Sequence, residues 1–503
     1  MRLGSGCYLH GPQQYSKFPR AYIQSQSLSH SSSVSGVWAE KAVETFWHLS
    51  LVEGVVAMVR TASRNVGKYT STHKSRKRNI HRPRPRPTRT IVTRSQCLTV
   101  GCFFHRLPSE VYHMILDKMS MLEISIFSMV SKEITRSVVE YITTLAWKNK
   151  TIIQSFHHST CPEQRSTIGH YRDLGLLFKR STLLQPTKDR LKFIFSEFSQ
   201  VPCFRLEQCL KPDCVGFLSY GVFLQTLIAG WDELECHRVF NFVCDLTNLL
   251  QKIEIVVTGK PGVRWYQKLQ LRLFCRQVLL DPWSNQMDTQ FWLMQLLKPW
   301  PLVSQAHLLL TLYGPLLPEG TLGWQDLVER GLPHSALWDL ARAILLLFSK
   351  LEVKGQNTNS LVAIFTELIV IPQPWHVENV ARLLVLCGSS LCYTILASKA
   401  VNGRLLEISR LIVYIILVCE KDGYHMSWAV KMVQNLCKVF ATPPERFGFL
   451  QQLENMFSDV TREFFEFSVT GNQPEDRETF QSLCILLDSS ARFHTKFLHM
   501  FLK

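Results

Sequence analysis

No apolar run in this 503-residue chain reaches the roughly 18–20 residues that a membrane-spanning helix requires. LIVYIILVC at 411–419 is about half that length and reads as a core helix. The opening MRLGSGCYLHGPQQYSKFPR lacks the apolar core of a secretory signal, so the 15 cysteines are expected as free thiols in a reducing compartment. Cys244, Cys275, Cys419 and Cys437 lie inside apolar helical patterns, where a thiol packs as a small hydrophobe. Strand-like alternation is scarce. H-E-x-x-H, G-x-S-x-G and G-x-G-x-x-G are also missing, which removes the commonest zinc-protease, hydrolase and dinucleotide-binding readings. These absences leave the expectation of a soluble, intracellular, largely helical protein.

Acid is missing from one part of the chain. Residues 1–100 carry 16 Lys and Arg against 3 Asp and Glu, whereas residues 101–503 carry 40 against 37. The net charge of +16 therefore belongs to the N-terminal segment, and the remainder has the 46% hydrophobic composition of a chain that buries a core. Residues 1–36 are Ser-, Gln- and Gly-rich without helical period and are expected to be disordered. Residues 37–59 could form an isolated helix, marginal without a surface to pack on. Residues 60–94 hold twelve basic residues and no acid, with prolines alternating through RPRPRPTR, so charge repulsion and missing amide donors keep them unfolded. The element KSRKR supplies Lys74, Arg76, Lys77 and Arg78 as candidates for nuclear import or phosphate contact; a solvated tether is the plain alternative. Aromatics that could stack on bases are nearly absent here, which argues against a nucleic-acid partner.

From residue 103 onward, apolar residues recur at helical spacing almost to the end, interrupted by loops such as KPDCVG (211–216), YGPLLPEGTLG (313–323) and IPQPW (371–375). That pattern predicts an all-α fold. PWPLVSQAHLLL (299–310) and PWHVENVARLLV (374–385) align without a gap, and LWDLARAILLL (337–347) is a looser copy between them. An offset of 75 residues is near twice a two-helix repeat, so a helical solenoid and an irregular bundle both remain open.

FHRLPSEVYHMILDKMSMLEISIFSMVSK (104–132) opens the helical region. Pro108 suits the first position of a helix with Glu110 near its positive end, and Val111, Ile115, Leu116 and Met119 form one apolar face. Ser120 and Glu123 make a capping box for a second helix faced by Ile124, Phe127 and Val130, and Ser131 caps a third that runs towards Trp147. Three helices in about 45 residues bury too little surface to stand alone, so part of their apolar face must be covered by something else.

The segment resembles an F-box. That family's pattern runs Leu-Pro-x-Glu, Ile-Leu, a Leu-like position, an acidic-apolar pair, Val-Ser-Lys and a Leu/Trp close. Here these are Leu107, Pro108, Glu110, Ile115-Leu116, Met119, Glu123-Ile124, Val130-Ser131-Lys132, Leu145 and Trp147, with Met119 and Glu123 standing for the usual Leu and Asp. The resemblance implies binding to a Skp-type adaptor, which joins a cullin-RING scaffold, while the remaining chain captures a protein substrate. The implied adaptor contacts are Leu107, Pro108, Val111, Ile115, Leu116, Met119, Ile124 and Val130. Segments at 170–194, 223–249, 297–303, 397–413 and 428–440 are similar to one branch of that family, which implies a nuclear, meiotic germ-cell setting; residues 1–100 do not share that likeness.

The expected domains are a disordered basic segment (1–100), a three-helix F-box (103–150) and a large α-helical, solenoid-like or irregular domain (151–503). The expected function is substrate recognition for a ubiquitin ligase in the nucleus, the cytoplasm or both, with a non-degradative nuclear or chromosomal scaffold as the alternative. No catalytic residue, membrane contact, cofactor or metal is assigned. Cys203, Cys209 and Cys214, with Cys236-His237, have wider spacings than common zinc sites and read as packed thiols. VTGKPG (257–262) reads as a turn, and the acids of AGWDELECHRVFNF (229–242) as a helix start. Trp300, Trp338, Trp375 and Trp428 read as core or inter-repeat packing.

Overall fold

A computed structural model describes residues 107–503, apart from the stretches 158–159, 199–200, 206–208, 210–213, 260–263, 284–285, 318–321, 355–358, 471–474 and 502–503. The expectations of disorder over 1–100, of a helix at 37–59 and of a basic arm with Lys74, Arg76, Lys77 and Arg78 lie outside the described residues. Among the described residues there is no strand, only an isolated bridge between Leu316 and Leu322.

Four short helices come first: α1 (Ser109–Lys118), α2 (Met121–Phe127), α3 (Lys132–Thr143) and α4 (Leu145–Thr151). Their boundaries follow from side chains that satisfy free backbone amides. Ser120 Oγ accepts from the Glu123 amide at 3.3 Å while Glu123 Oε2 accepts from the Ser120 amide at 2.7 Å, the reciprocal box read in the sequence. Ser131 Oγ accepts from the Ile134 amide at 3.2 Å. Two details differ from the sequence reading. Pro108 stands just before the first helical residue, and the third helix stops at Thr143. Thr144 is extended, and its hydroxyl accepts from the Trp147 amide at 3.3 Å, starting a fourth helix in place of a continuous run.

Next are α5 (Cys161–Ser181), α6 (Thr187–Phe198), α7 (Gly216–Ile228), α8 (Glu233–Thr247) and α9 (Leu249–Val257). Asp232 caps α8 by accepting from the Glu235 amide at 2.8 Å, so the acids of that stretch serve a helix start as read. α10 (Trp265–Phe274) runs on as a π-helical turn over Cys275–Leu280. α7 crosses it at Gly221, where a Cβ would lie 2.0 Å from the Gln277 carbonyl oxygen. Only glycine permits that approach.

The chain then alternates between two rows. After α11 (Gln286–Leu297) come α12 (Leu302–Tyr313), the short α13 (Trp324–Glu329), α14 (His334–Lys354), α15 (Asn359–Leu368), α16 (Val377–Leu386), α17 (Gly388–Val401), α18 (Leu405–Lys421), α19 (Met426–Cys437), α20 (Pro443–Thr470) and α21 (Glu475–Phe501). One row stacks α10, α12, α14, α16, α18 and α20; the other stacks α15, α17, α19 and α21. Each helix packs on its neighbour but one, which is the signature of a solenoid and decides the question left open by the sequence. The three echoed segments are α12, α14 and α16, consecutive members of one row. Their matched residues Ala306, Leu308 and Leu309, and Ala381, Leu383 and Leu384, are fully buried. LIVYIILVC lies inside α18 and is buried along its whole length, as a core helix must be. No helix among the described residues is long and apolar enough to cross a membrane.

A charged layer is sealed between α16 and α18. Arg382 bonds Glu378 at 3.0 Å and Asp422 at 2.8 Å, and Lys421 Nζ lies 3.0 Å from Glu378. Asn379, buried beside them, accepts from the Leu332 amide at 2.7 Å and donates to the Leu327 and Arg330 carbonyls at 3.0 and 2.7 Å. Burial alone would raise the Glu378 carboxyl, but Lys421 and Arg382 outweigh it and hold the group below its usual range.

Candidate protein-docking site

The first four helices do not bury their apolar residues evenly. α1 carries two stripes one residue apart. Tyr112 and Leu116 face inward, Tyr112 against Phe127 at a ring separation of 6.4 Å, and Leu116 is 0% exposed. Val111, Met114 and Ile115 face outward and are 41%, 66% and 37% exposed. Met129 and Val130, at the turn between α2 and α3, are 42% and 60% exposed, and Leu122 joins them at 40%.

α2 lies on α5, which belongs to the remaining chain. Arg180 of α5 donates to Ser125 Oγ at 2.9 Å, and Ile124 is sealed nearby at 3% exposure. The inward side is therefore closed by this polypeptide and the outward side is not. The sequence-predicted contacts divide accordingly. Pro108, Val111, Ile115 and Val130 are exposed, Leu107 and Met119 half-buried, and Leu116 and Ile124 inside the core. Met114, Leu122 and Met129 are exposed too but were not picked out in the sequence. The i, i+3, i+4 spacing of Val111, Met114 and Ile115 could have found Met114.

A hydrogen-bonded brace keeps α1 in place against α3 and α4. Asp117 accepts from the Tyr141 hydroxyl at 2.8 Å and from Lys150 at 3.2 Å. These two donors hold its carboxyl below the usual range, while burial and the Asp117 charge push the Tyr141 phenol up. Every backbone cap and this brace orient the face without occupying it.

An F-box family model matches residues 104–136, the helices that carry this face. A second family model, described as "FBXO47, ARM repeats", matches residues 246–502, the two-row region. The chain is 43% identical over 444 residues to F-box only protein 47 of Homo sapiens, covering 87% of this chain and 98% of that protein. It belongs to the F-box only protein 47 family. The Mus musculus relative is 45% identical over 416 residues, 82% of this chain and 92% of that protein. No solved structure matches the chain. The fold is thus an F-box followed by an armadillo-type helical domain, the architecture of F-box only protein 47.

The cysteines depart from the sequence reading in one place. Cys244, Cys275 and Cys419 are buried free thiols and Cys437 is half-buried, as expected. Cys203, Cys209 and Cys214, however, come together, and the histidine that joins them is His157 in place of His237. His237 instead bonds Gln295 at 3.0 Å, and Cys236 sits against the Trp231 carbonyl. Of the four tryptophans, Trp375 is buried, Trp300 and Trp428 pack against the core, and Trp338 is half exposed.

At the far end of the rows, α20 and α21 leave a groove of about 600 Å³, lined in part by Phe465, Leu487 and the pair His494 and Glu454, whose atoms are 2.7 Å apart. Phe447 and Phe467, also on α20, are exposed as well, but they do not line the groove.

Proposed function

We propose that this chain is the substrate receptor of a Skp–cullin–RING ubiquitin ligase. The observation that carries the reading is the uncovered apolar ridge of Val111, Met114 and Ile115 on α1, whose Tyr112 and Leu116 are buried, with Met129 and Val130 also exposed at the turn between α2 and α3. Of the other expected contacts, Pro108 is exposed, Leu107 and Met119 are half-buried, and Leu116 and Ile124 lie in the core. An adaptor groove that takes these side chains out of water supplies the binding energy, with the aliphatic anchors as hot spots. The armadillo-type domain then holds a protein substrate, and we assign its contact surface to the α20–α21 groove with its exposed Phe465 and Leu487. In this reading the chain itself does not carry out ubiquitin transfer. Its contribution is proximity, which turns an encounter between substrate and charged conjugating enzyme into an effectively intramolecular step.

Co-expression with a Skp-type adaptor tests this reading. Wild-type chain is expected to co-purify with adaptor, and Val111→Asp/Ile115→Asp to lose it while remaining folded. Equal recovery of adaptor with both would refute the assignment. A receptor also shortens the life of what it binds. Loss of the chain should lengthen the half-life of at least one bound protein, whereas a scaffold's loss would leave every partner unchanged or less stable. We further place the protein in the nucleus of meiotic germ cells, imported through Lys74, Arg76, Lys77 and Arg78. Alanine at those four positions is expected to leave it cytoplasmic, and undiminished nuclear staining would exclude that role.

A further inference from the structure

Three sulfurs and an imidazole converge at the junction between the F-box helices and the rest of the chain. The ligating atoms of His157, Cys203, Cys209 and Cys214 all lie within 4.8 Å of one another. His157 Nε2 is 3.3 Å from Cys209 Sγ and 3.6 Å from Cys203 Sγ. In a tetrahedron with metal–sulfur bonds of about 2.3 Å and a metal–nitrogen bond of about 2.05 Å, the nitrogen–sulfur edge is about 3.6 Å and the sulfur–sulfur edge about 3.8 Å. The two nitrogen–sulfur separations, 3.3 and 3.6 Å, lie close to that edge, and no pair of ligating atoms is more than 4.8 Å apart. A cavity of about 20 Å³ lies against the three cysteines, with Phe217, Leu273 and Gln270 on its other walls. That is room for one ion or one water.

The surroundings are built for close approach. Cys203 lies in the 3₁₀ turn Pro202–Phe204, and Cys214 stands two residues before α7. Gly216 lets the turn and the helix meet, since a Cβ there would be 2.6 Å from the Cys203 Cβ. The Gly216 amide donates to Cys214 Sγ at 3.4 Å, the kind of N–H to sulfur bond that steadies a thiolate. Gln270 of α10 donates to the Cys209 carbonyl at 3.3 Å. Phe156, next to His157, is fully buried against Tyr171 and Phe204 at 5.3 and 5.2 Å, which fixes the histidine's backbone.

We propose that His157, Cys203, Cys209 and Cys214 bind one zinc ion in a closed, structural Cys₃His site. Four protein ligands leave no open position, so the ion staples and does not catalyse. It joins the exit of the F-box helices at His157, the Cys203 turn and the entry to α7, with α10 tied on through Gln270. A staple there sets the orientation of the armadillo-type domain relative to the adaptor-facing ridge. The site stands independently of the ligase reading.

Full-length chain purified without chelators is expected to carry roughly one zinc by elemental analysis, and Cys209→Ser/Cys214→Ser to lose at least about tenfold of it. A misfolded variant would lose metal for trivial reasons, so the wild-type chain is also loaded with cobalt(II). Thiolate-to-cobalt charge-transfer bands with intense tetrahedral ligand-field bands are expected, altered in His157→Ala. Absence of zinc with no cobalt bands would overturn the proposal. Full metal retention in the double cysteine variant, or a disulfide between two of the three cysteines in mapped peptides, would do so as well.

Discussion

Replacing Val111, Met114 and Ile115 together with alanine separates adaptor binding from folding. The three side chains are 41%, 66% and 37% exposed, together about one and a half fully exposed apolar side chains. Covering one such side chain contributes roughly 1.5–3 kcal/mol, and alanine keeps part of each contact, so the triple variant should lose about 2–3 kcal/mol of adaptor binding. At 1.4 kcal/mol per decade this is about a thirty- to hundredfold increase in Kd. Titration calorimetry with purified Skp-type adaptor reads it directly. Because the replaced atoms lie on the outer side of α1, the chain's thermal unfolding should be nearly unchanged. Leu116→Ala is the counterpart. That residue is fully buried, and its truncation should cost about 2–5 kcal/mol of stability through the cavity it leaves. A Kd within about threefold of wild type for the folded triple variant would show that the ridge is not the docking face.

Glu378→Gln leaves Lys421 and Arg382 short of a charge partner and should destabilise the chain by about 3 kcal/mol, read as a lower denaturation midpoint. Because the folded pKa of Glu378 is depressed below 4.5, its contribution is complete above about pH 4.5 and is lost as pH falls through the lower folded value. His307 behaves differently. Burial, with Lys268 nearby, pushes its pKa down to about 4, although its Nδ1–H donates to the Val257 carbonyl at 2.9 Å. The unfolded imidazole protonates near pH 6.5, so stability is full above that value and falls by up to about 3 kcal/mol between pH 6.5 and 4. His307→Leu should flatten that part of the stability profile, and an unchanged profile would assign the acid loss elsewhere. Gly221→Ala forces α7 off the π-turn and should cost about 1–3 kcal/mol, measurable by chemical denaturation.

Several helix starts were legible in the sequence, because caps act over three residues, although the break at Thr144 was read through. Ser120 with Glu123, Ser131 with Ile134 and Asp232 with Glu235 each close a local ring that neighbours in sequence suffice to specify. The repeat was also legible in outline, since α12, α14 and α16 must present the same leucines to equivalent neighbours. What sequence periodicity could not assign was which of two adjacent stripes on α1 faces inward. Val111-Ile115 and Tyr112-Leu116 both have helical spacing, and only the packing of α2 on α5 decides that Leu116 is sealed and Met114 is free. The Cys₃His cluster lay beyond reach for the same reason at longer range. His157 and Cys203 are 46 positions apart, and α5 and α6 must fold between them before the imidazole meets the sulfurs. Local hydrogen bonds and periodicity are written in short stretches of chain, whereas a shared face or a converging ligand set exists only once distant segments have packed.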